Sequence, residues 1–228
     1  MLQVTGLKRV VEGQPIIEAC SFTLEKGQVL FITGPSGCGK TLLMRSIACL
    51  DKAQAGTLLL GGRTPEQIGF PTWRAHVMYV PQARVALKGT PTEFYFATQQ
   101  FHSQRGRPRG DLLALAHDMG LAQSVLNQQW SELSGGQAQR VMLCVCAALQ
   151  PDVLLLDEPT SACDPVSTQK VEAALKGCGV SLIWITHDPE QPYRVGGSML
   201  ELPTSRIVPL PPPPPPPKAV AQIQPQQP

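Results

Sequence analysis

Gly34-Pro-Ser-Gly-Cys-Gly-Lys-Thr41 decides how this 228-residue chain is read. It fits Gly-x-x-x-x-Gly-Lys-Ser/Thr, a loop whose glycines let backbone N–H groups close around phosphate oxygens. The flanks fit too. An apolar strand-like run, Gln28 to Thr33, leads in, and an amphipathic run, Leu42 to Leu50, follows, so the loop ends at a helix start whose dipole favours negative charge. Lys40 is expected to reach the outer phosphates and Thr41 to contribute its hydroxyl to Mg²⁺. Gly34, Pro35, Ser36, Gly37, Cys38, Gly39, Lys40 and Thr41 form the expected nucleotide cradle, with Mg²⁺ beside the phosphates. Cys38 has two readings: a thiol activated at a helix start, or a small residue that simply fits.

A second apolar run, Val153-Leu-Leu-Leu-Asp-Glu158, delivers two adjacent carboxylates at its C-terminal end. Open α/β sheets place ligands at that end of their strands. Asp157 is expected to hold the metal and Glu158 to polarise an attacking water. Alone, such carboxylates would as readily cap the next turn. Beside the phosphate loop they read as chemistry.

Further candidate strands at His76 to Val80 and Ser181 to Thr186 alternate with helical patterns, which predicts an α/β fold with a mainly parallel sheet. Residues 1–27 and 56–62 read as half-exposed strands bounded by glycines. From Pro81 to Glu132 only helices are expected. One starts at Thr90-Pro-Thr-Glu93, a capping box with proline at the first helical position; another runs from Asp111 to Met119 and stops at Gly120. A helix opening at Ser134-Gly-Gly-Gln137 carries Val141, Val145 and Leu149 on one face, and a last one runs from Asp164-Pro165 to near Gly177. The helical insertion thus covers about 82–149 within a folded body of 1–208.

Composition narrows the field. Ten of the 23 prolines fall in 209–228, including seven in a row, a stretch expected to remain disordered. A seven-proline rod is about 22 Å long and suits proline-binding grooves or serves as a spacer. The net charge of +2 demands no polyanionic partner. Arg105-Gly-Arg-Pro108 copies an AT-hook core, but a single copy in a folded insertion reads as a solvated basic loop, so no nucleic acid is expected. The longest apolar run, Val141 to Leu149, has nine residues, against about 20 for a membrane-spanning helix. Seven cysteines without a Cys-x-x-Cys pair, and no export signal, predict a reducing, cytoplasmic setting.

Together these residues resemble the ATP-binding cassette (ABC) family, the nucleotide-binding subunits of ABC transporters. Leu133-Ser-Gly-Gly-Gln137 matches the family signature without a change, and its serine cap and glycines suit a second anion site. The resemblance implies a P-loop NTPase (RecA-like) core with an N-terminal antiparallel β-subdomain and the inserted helical subdomain. It makes Gln82 the Q-loop glutamine, which contacts Mg²⁺ and water, and His187, 29 residues after Glu158, the switch histidine. Ser134, Gly135, Gly136 and Gln137 would cover ATP held by another subunit, with Asp164 in the D-loop beside them. The early loop usually carries an aromatic residue that stacks on adenine; here Val11 stands there, which predicts weaker nucleotide affinity or relaxed base preference.

The family works as a head-to-tail dimer, so a second ATP-binding subunit, a copy or a close paralogue, is an expected partner. Transport further implies an integral membrane subunit, and hence a peripheral position on the cytosolic face of a membrane. Ile32 to Lys40, Leu87-Lys-Gly-Thr90 and Trp184 to Asp188 are similar to the ATP-binding subunit of bacterial iron exporters and its plant aluminium-tolerance relatives, with Arg84 and Leu87 departing from that pattern. A soluble cassette ATPase of the Fe–S cluster assembly type is the alternative of the same size.

Overall fold

The computed structural model describes residues 1–84 and 86–210. The proline run expected to be disordered lies, from Pro211 on, outside the described residues. Two sheets organise the chain. Leu2–Val11 (β1) and Gln14–Leu24 (β2) form an antiparallel hairpin, and Ala55–Leu60 (β4) pairs on the other edge of β1. The hairpin turn holds Glu12 and Gly13 at φ 50° and 81°, the two positive values that a two-residue type I′ loop requires.

The larger sheet begins with Val29–Thr33 (β3), which leads into Lys40–Ile47 (α1). Two short helices, Pro65–Ile68 (α2) and Phe70–His76 (α3), precede Val77–Val80 (β5). Pro91–Gln99 (α4) and Leu112–Asp118 (α5), joined by one 3₁₀ turn and followed by two more, make the insertion, and Gly135–Ala148 (α6) returns the chain to the sheet. Val153–Asp157 (β6), Pro165–Gly177 (α7), Ser181–Ile185 (β7), Gln191–Val195 (α8), Ser198–Glu201 (β8) and Arg206–Pro209 (β9) complete the body. The strand order is β5-β6-β7-β3-β8-β9, parallel throughout except for β9.

Both faces of this sheet are covered, which is why β6 and β7 read as unbroken apolar runs and are buried at every position. Phe31, Leu154, Leu156, Leu182 and Trp184 face a core shared with α6, α7 and the insertion. The alternate residues Leu30, Ile32, Val153, Leu155, Ile183 and Ile185 face a second core built with α1 and the β1–β2 hairpin. The side-chain period of two thus assigns each residue to one layer. The central strands end side by side at the site.

Several boundaries differ from the sequence reading, each for a local reason. The helix after the phosphate loop runs from Lys40 to Ile47 rather than from Leu42 to Leu50, because Gly39 already acts as its N-cap and Cys49 adopts φ 54°. His76 closes α3 instead of opening β5. The strands expected from Gln28, Asp152 and to Thr186 are each one residue shorter. At the C-terminus the paired edge continues past 208: Pro209 pairs with Ser198, and the Leu210 N–H donates to Gly197.

The insertion starts as its capping chemistry predicts. Thr90 accepts from the Glu93 N–H while the Glu93 carboxylate accepts from the Thr90 N–H, and Asp111 caps α5. Of the Arg105-Gly-Arg-Pro108 stretch only Arg107 is half-buried; Arg105, Gly106 and Pro108 are exposed. Arg107 donates to the Gln150 carbonyl, and Arg109 donates to the carbonyls of Gln104 and Pro108. All seven cysteines are free thiols, and among the described residues no helix is long and apolar enough to cross a membrane.

Candidate active site

The loop between β3 and α1 is shaped by its glycines. Gly34 and Gly39 sit at φ 143° and 98°, and both are hemmed in: a Cβ on Gly34 would lie 2.5 Å from the Leu202 carbonyl oxygen, and one on Gly39 2.7 Å from Ile16. Any side chain there would displace the loop. No side chain caps α1, so the N–H groups of its first turn keep their donors for an incoming group. That is the provision an anion site needs. Lys40 is buried and its ammonium donates to the carbonyls of Gly34 and Pro35 at 2.9 Å each. Ser36 and Gly37 line the cavity above, while the Cys38 thiol packs under the loop against Gly34 and the apolar core. Cys38 serves packing.

The cavity, about 230 Å³, is closed on its far side by the ends of β6 and β7. Asp157 is 4% exposed, and its Oδ2 accepts from Thr41 Oγ1 at 2.8 Å and from the Tyr79 hydroxyl at 2.9 Å. Two donors on one oxygen fix the carboxylate and leave Oδ1 for the cavity. Burial and the neighbouring Asp157 charge push the Tyr79 phenol well above its ordinary range, so it stays a donor. Tyr79 was not singled out in the sequence. Nothing local marks it; only the β5–β6 pairing brings it to Asp157.

Glu158 is held in the left-handed region at φ 49°, and its N–H donates to the Ile185 carbonyl. A non-glycine residue in that conformation is uncommon, and here it turns the side chain out of the strand direction at the sheet edge. Its carboxylate is gripped on both oxygens: Gln82 Nε2 donates to Oε2 at 2.6 Å, and His187 Nε2 lies 2.8 Å from Oε1. Three residues far apart in sequence, Gln82, Glu158 and His187, therefore meet. A carboxylate so oriented, with a lone pair free on each oxygen, can accept a proton from a water in the cavity.

Other expected residues do not reach this cavity. Ser134 caps α6, its hydroxyl accepting from the Gln137 N–H while the Gln137 side chain accepts from the Ser134 N–H. Ser134 and Gly135 are exposed, and no residue from Ser134 to Gln137 lines the cavity. Gly136 has a packing reason to be glycine, since a Cβ would lie 2.7 Å from the Ala162 carbonyl oxygen. Asp164 uses both carboxylate oxygens on Ser167, which hold it below the usual carboxyl range. Val11 sits exposed at the hairpin turn, away from the cavity lining. It is Ile16, from the same hairpin, that touches the loop at Gly39.

The structure adds one more residue, Gln139. From α6 its amide donates to the Glu158 carbonyl at 3.1 Å and accepts from the Ala162 N–H at 3.0 Å. The helix that begins at Ser134 is thereby tied to the segment that carries Glu158. Gln139 lies two residues past the signature on the same helix, but its partners are 19 and 23 residues away, so no local pattern marks it.

Phosphate loop, strand-end carboxylates and parallel sheet define a P-loop nucleotide-binding domain. Residues 17–161 match the ABC transporter family, and the chain belongs to it. Over 212 residues it is 34% identical to a ferric-ion import ATP-binding protein of Rhodococcus jostii, covering 90% of this chain and 60% of the relative. It is 30% identical to a probable iron export ATP-binding protein of Escherichia coli, covering 84% of this chain and 86% of the relative. The chain spans about 55–63% of the length of the iron-import relatives it matches. Among solved structures, a dimeric bacterial ABC transporter cassette superposes with a TM-score of 0.76 at 23% identity, over 92% of this chain and 99% of the other. The fold is that of the ABC cassettes.

Proposed function

We propose that this chain is the ATP-binding and ATP-hydrolysing subunit of an ABC transporter, acting on a separate membrane-spanning partner. One observation carries the reading: Lys40, Thr41, Asp157, Glu158 and His187 line one cavity, with Gln82 bonded to Glu158 at its rim. Loop N–H groups and Lys40 hold the β- and γ-phosphates, the ammonium exchanging its two carbonyl partners for phosphate oxygens. Thr41, Asp157 and Gln82 are the residues that would hold Mg²⁺, and Tyr79 and Thr41 present Asp157 for it. Bound there, the ion neutralises phosphate charge. Glu158 orients the attacking water and takes its proton, while Gln82 and His187 keep its carboxylate aimed.

The signature is built for another molecule. Ser134 and Gly135 open outward at a helix start, apart from the chain's own cavity. We read the competent state as a head-to-tail pair in which each Ser134–Gln137 segment covers the ATP held by its partner. Val11 supplies apolar contact to the base without a π-face. A purified chain is expected to release phosphate from ATP only with Mg²⁺ present, at a rate rising with protein concentration. Metal-independent, concentration-independent turnover would contradict the reading.

For cargo we propose iron, moved outward, on the similarity to the Escherichia coli iron exporter subunit. Inward transport is favoured by the similarity to the ferric-ion import proteins. Disruption of the coding sequence decides: export predicts a rise in cell-associated iron, import a fall. Recovery with an integral membrane protein in detergent separates both from a soluble Fe–S assembly ATPase. The proline run is read as a spacer; removal of 211–228 should leave hydrolysis intact.

A further inference from the structure

Helix α7 carries a carboxylate, Glu172, on a buried face among Val171, Ala174 and Leu175. A buried carboxylate is tolerated only when it is paired and hydrogen-bonded. Its partners come from α8, the short helix after His187. Arg194 donates to both oxygens, at 2.7 Å from Nη2 and 3.2 Å from Nε, and Gln191 Nε2 donates to Oε1 at 2.8 Å. The guanidinium is held more firmly protonated than usual by these carboxylates.

Two bonds leave this cluster, and they end on different loops. Arg194 Nη2 also donates to Asp188 Oδ2 at 2.6 Å, and Asp188 directly follows His187. Gln191, fully buried, also donates to Thr160 Oγ1 at 3.2 Å, two residues after Glu158. The other Asp188 oxygen accepts from the Glu190 N–H, which shapes the loop's own turn. One buried carboxylate therefore anchors both segments whose side chains meet as the Glu158–His187 pair at 2.8 Å. Burial alone would be served as well by an apolar residue of similar volume. The outward bonds to both loops come from Arg194 and Gln191, which Glu172 holds in place and an apolar residue there could not.

We propose that Arg194 and Gln191 are positioning residues that, through Glu172, set His187 against Glu158. The proposal rests on the ATPase reading for its consequence, though not for its geometry. With α8 unanchored, the His187 loop is free to move while the phosphate loop, which none of these bonds touches, keeps its shape. Hydrolysis should suffer and nucleotide binding should not.

The test uses the full chain labelled with ¹⁵N-histidine, its four histidines assigned with a His187→Gln variant. In Arg194→Met the His187 ring resonances should move toward those of a free side chain while His76, His102 and His117 stay. The kcat for ATP should fall about tenfold with KM within about twofold, as expected for a misplaced catalytic group. Arg194→Lys keeps one charged contact and should recover at least half of that loss. Gln191→Met repeats the measurement should Arg194→Met fail to fold. Unmoved His187 resonances with kcat at the parent level, and only a lower Tm, would overturn the proposal. A parent chain that releases no phosphate would sink the ATPase reading instead, and the His187 shift would still decide the positioning.

Discussion

The two glycine-rich helix starts of this molecule are built on different terms. At the phosphate loop, α1 begins without a side-chain cap, Lys40 is drawn back onto loop carbonyls, and carboxylates converge from β6. At the signature, α6 begins with a complete capping box, and Ser134 and Gln137 already satisfy each other. The first helix start leaves N–H groups unpaired and walls them in; the second is self-sufficient and faces outward. The unpaired donors call for an anion in the cavity, whereas the exposed, capped start needs no ligand from its own chain. The difference fits the composite site proposed above, half of it supplied by each of two chains.

Variants that separate the two halves should break or sharpen that comparison, and the largest effect falls on the cavity. Glu158→Gln should cut phosphate release by about 10²–10⁴-fold, the range for removal of a general base. ATP binding should persist, seen by retained nucleotide after gel filtration. Next comes Gly136→Ala on the opposite half. Its Cβ would press on the Ala162 carbonyl oxygen, so the segment carrying Glu158 must shift. Turnover should drop about tenfold while ATP affinity of the isolated chain is unchanged, a loss of about 1.4 kcal/mol from the transition state alone.

Tyr79→Phe should do less. It removes one of two donors to a buried carboxylate oxygen, while Thr41 keeps the other in place. The expected outcome is a several-fold rise in the metal concentration at half-saturation, measured by Mn²⁺ titration as well as by turnover. The smallest change is Val11→Tyr, which should tighten ATP binding by about two- to fivefold through added stacking. If Val11→Tyr binds no tighter, the hairpin tip does not contact the base.

These effects also show what could be read without coordinates. Gly34 to Thr41 and Val153 to Glu158 were legible because phosphate chemistry demands particular residues at particular spacing, and the sheet followed from buried runs such as Ser181 to Ile185. Thr90 and Asp111 announced their helices through local capping. Thr64-Pro-Glu-Gln67 carries the same kind of capping signal and opens α2, so that helix was available to the same reasoning. Tyr79, Gln139 and the Glu172–Gln191–Arg194 cluster were not. Each depends on a strand pairing or a helix contact across tens of residues, which no local pattern encodes. The turn that holds Glu158 at positive φ is likewise a tertiary outcome, fixed by its bond to Ile185.

The composite site can be tested by mixing two inactive chains. Lys40→Ala removes the phosphate contact and Ser134→Arg blocks the signature, so neither variant alone should turn over ATP. A mixed pair contains one site with an intact loop from one chain and an intact signature from the other. Equal mixing is predicted to recover turnover, up to about a quarter of the parent rate by random pairing and less if the two sites act together. No recovery above the separate variants, with both folded and Ser134→Arg still binding ATP, would contradict the account.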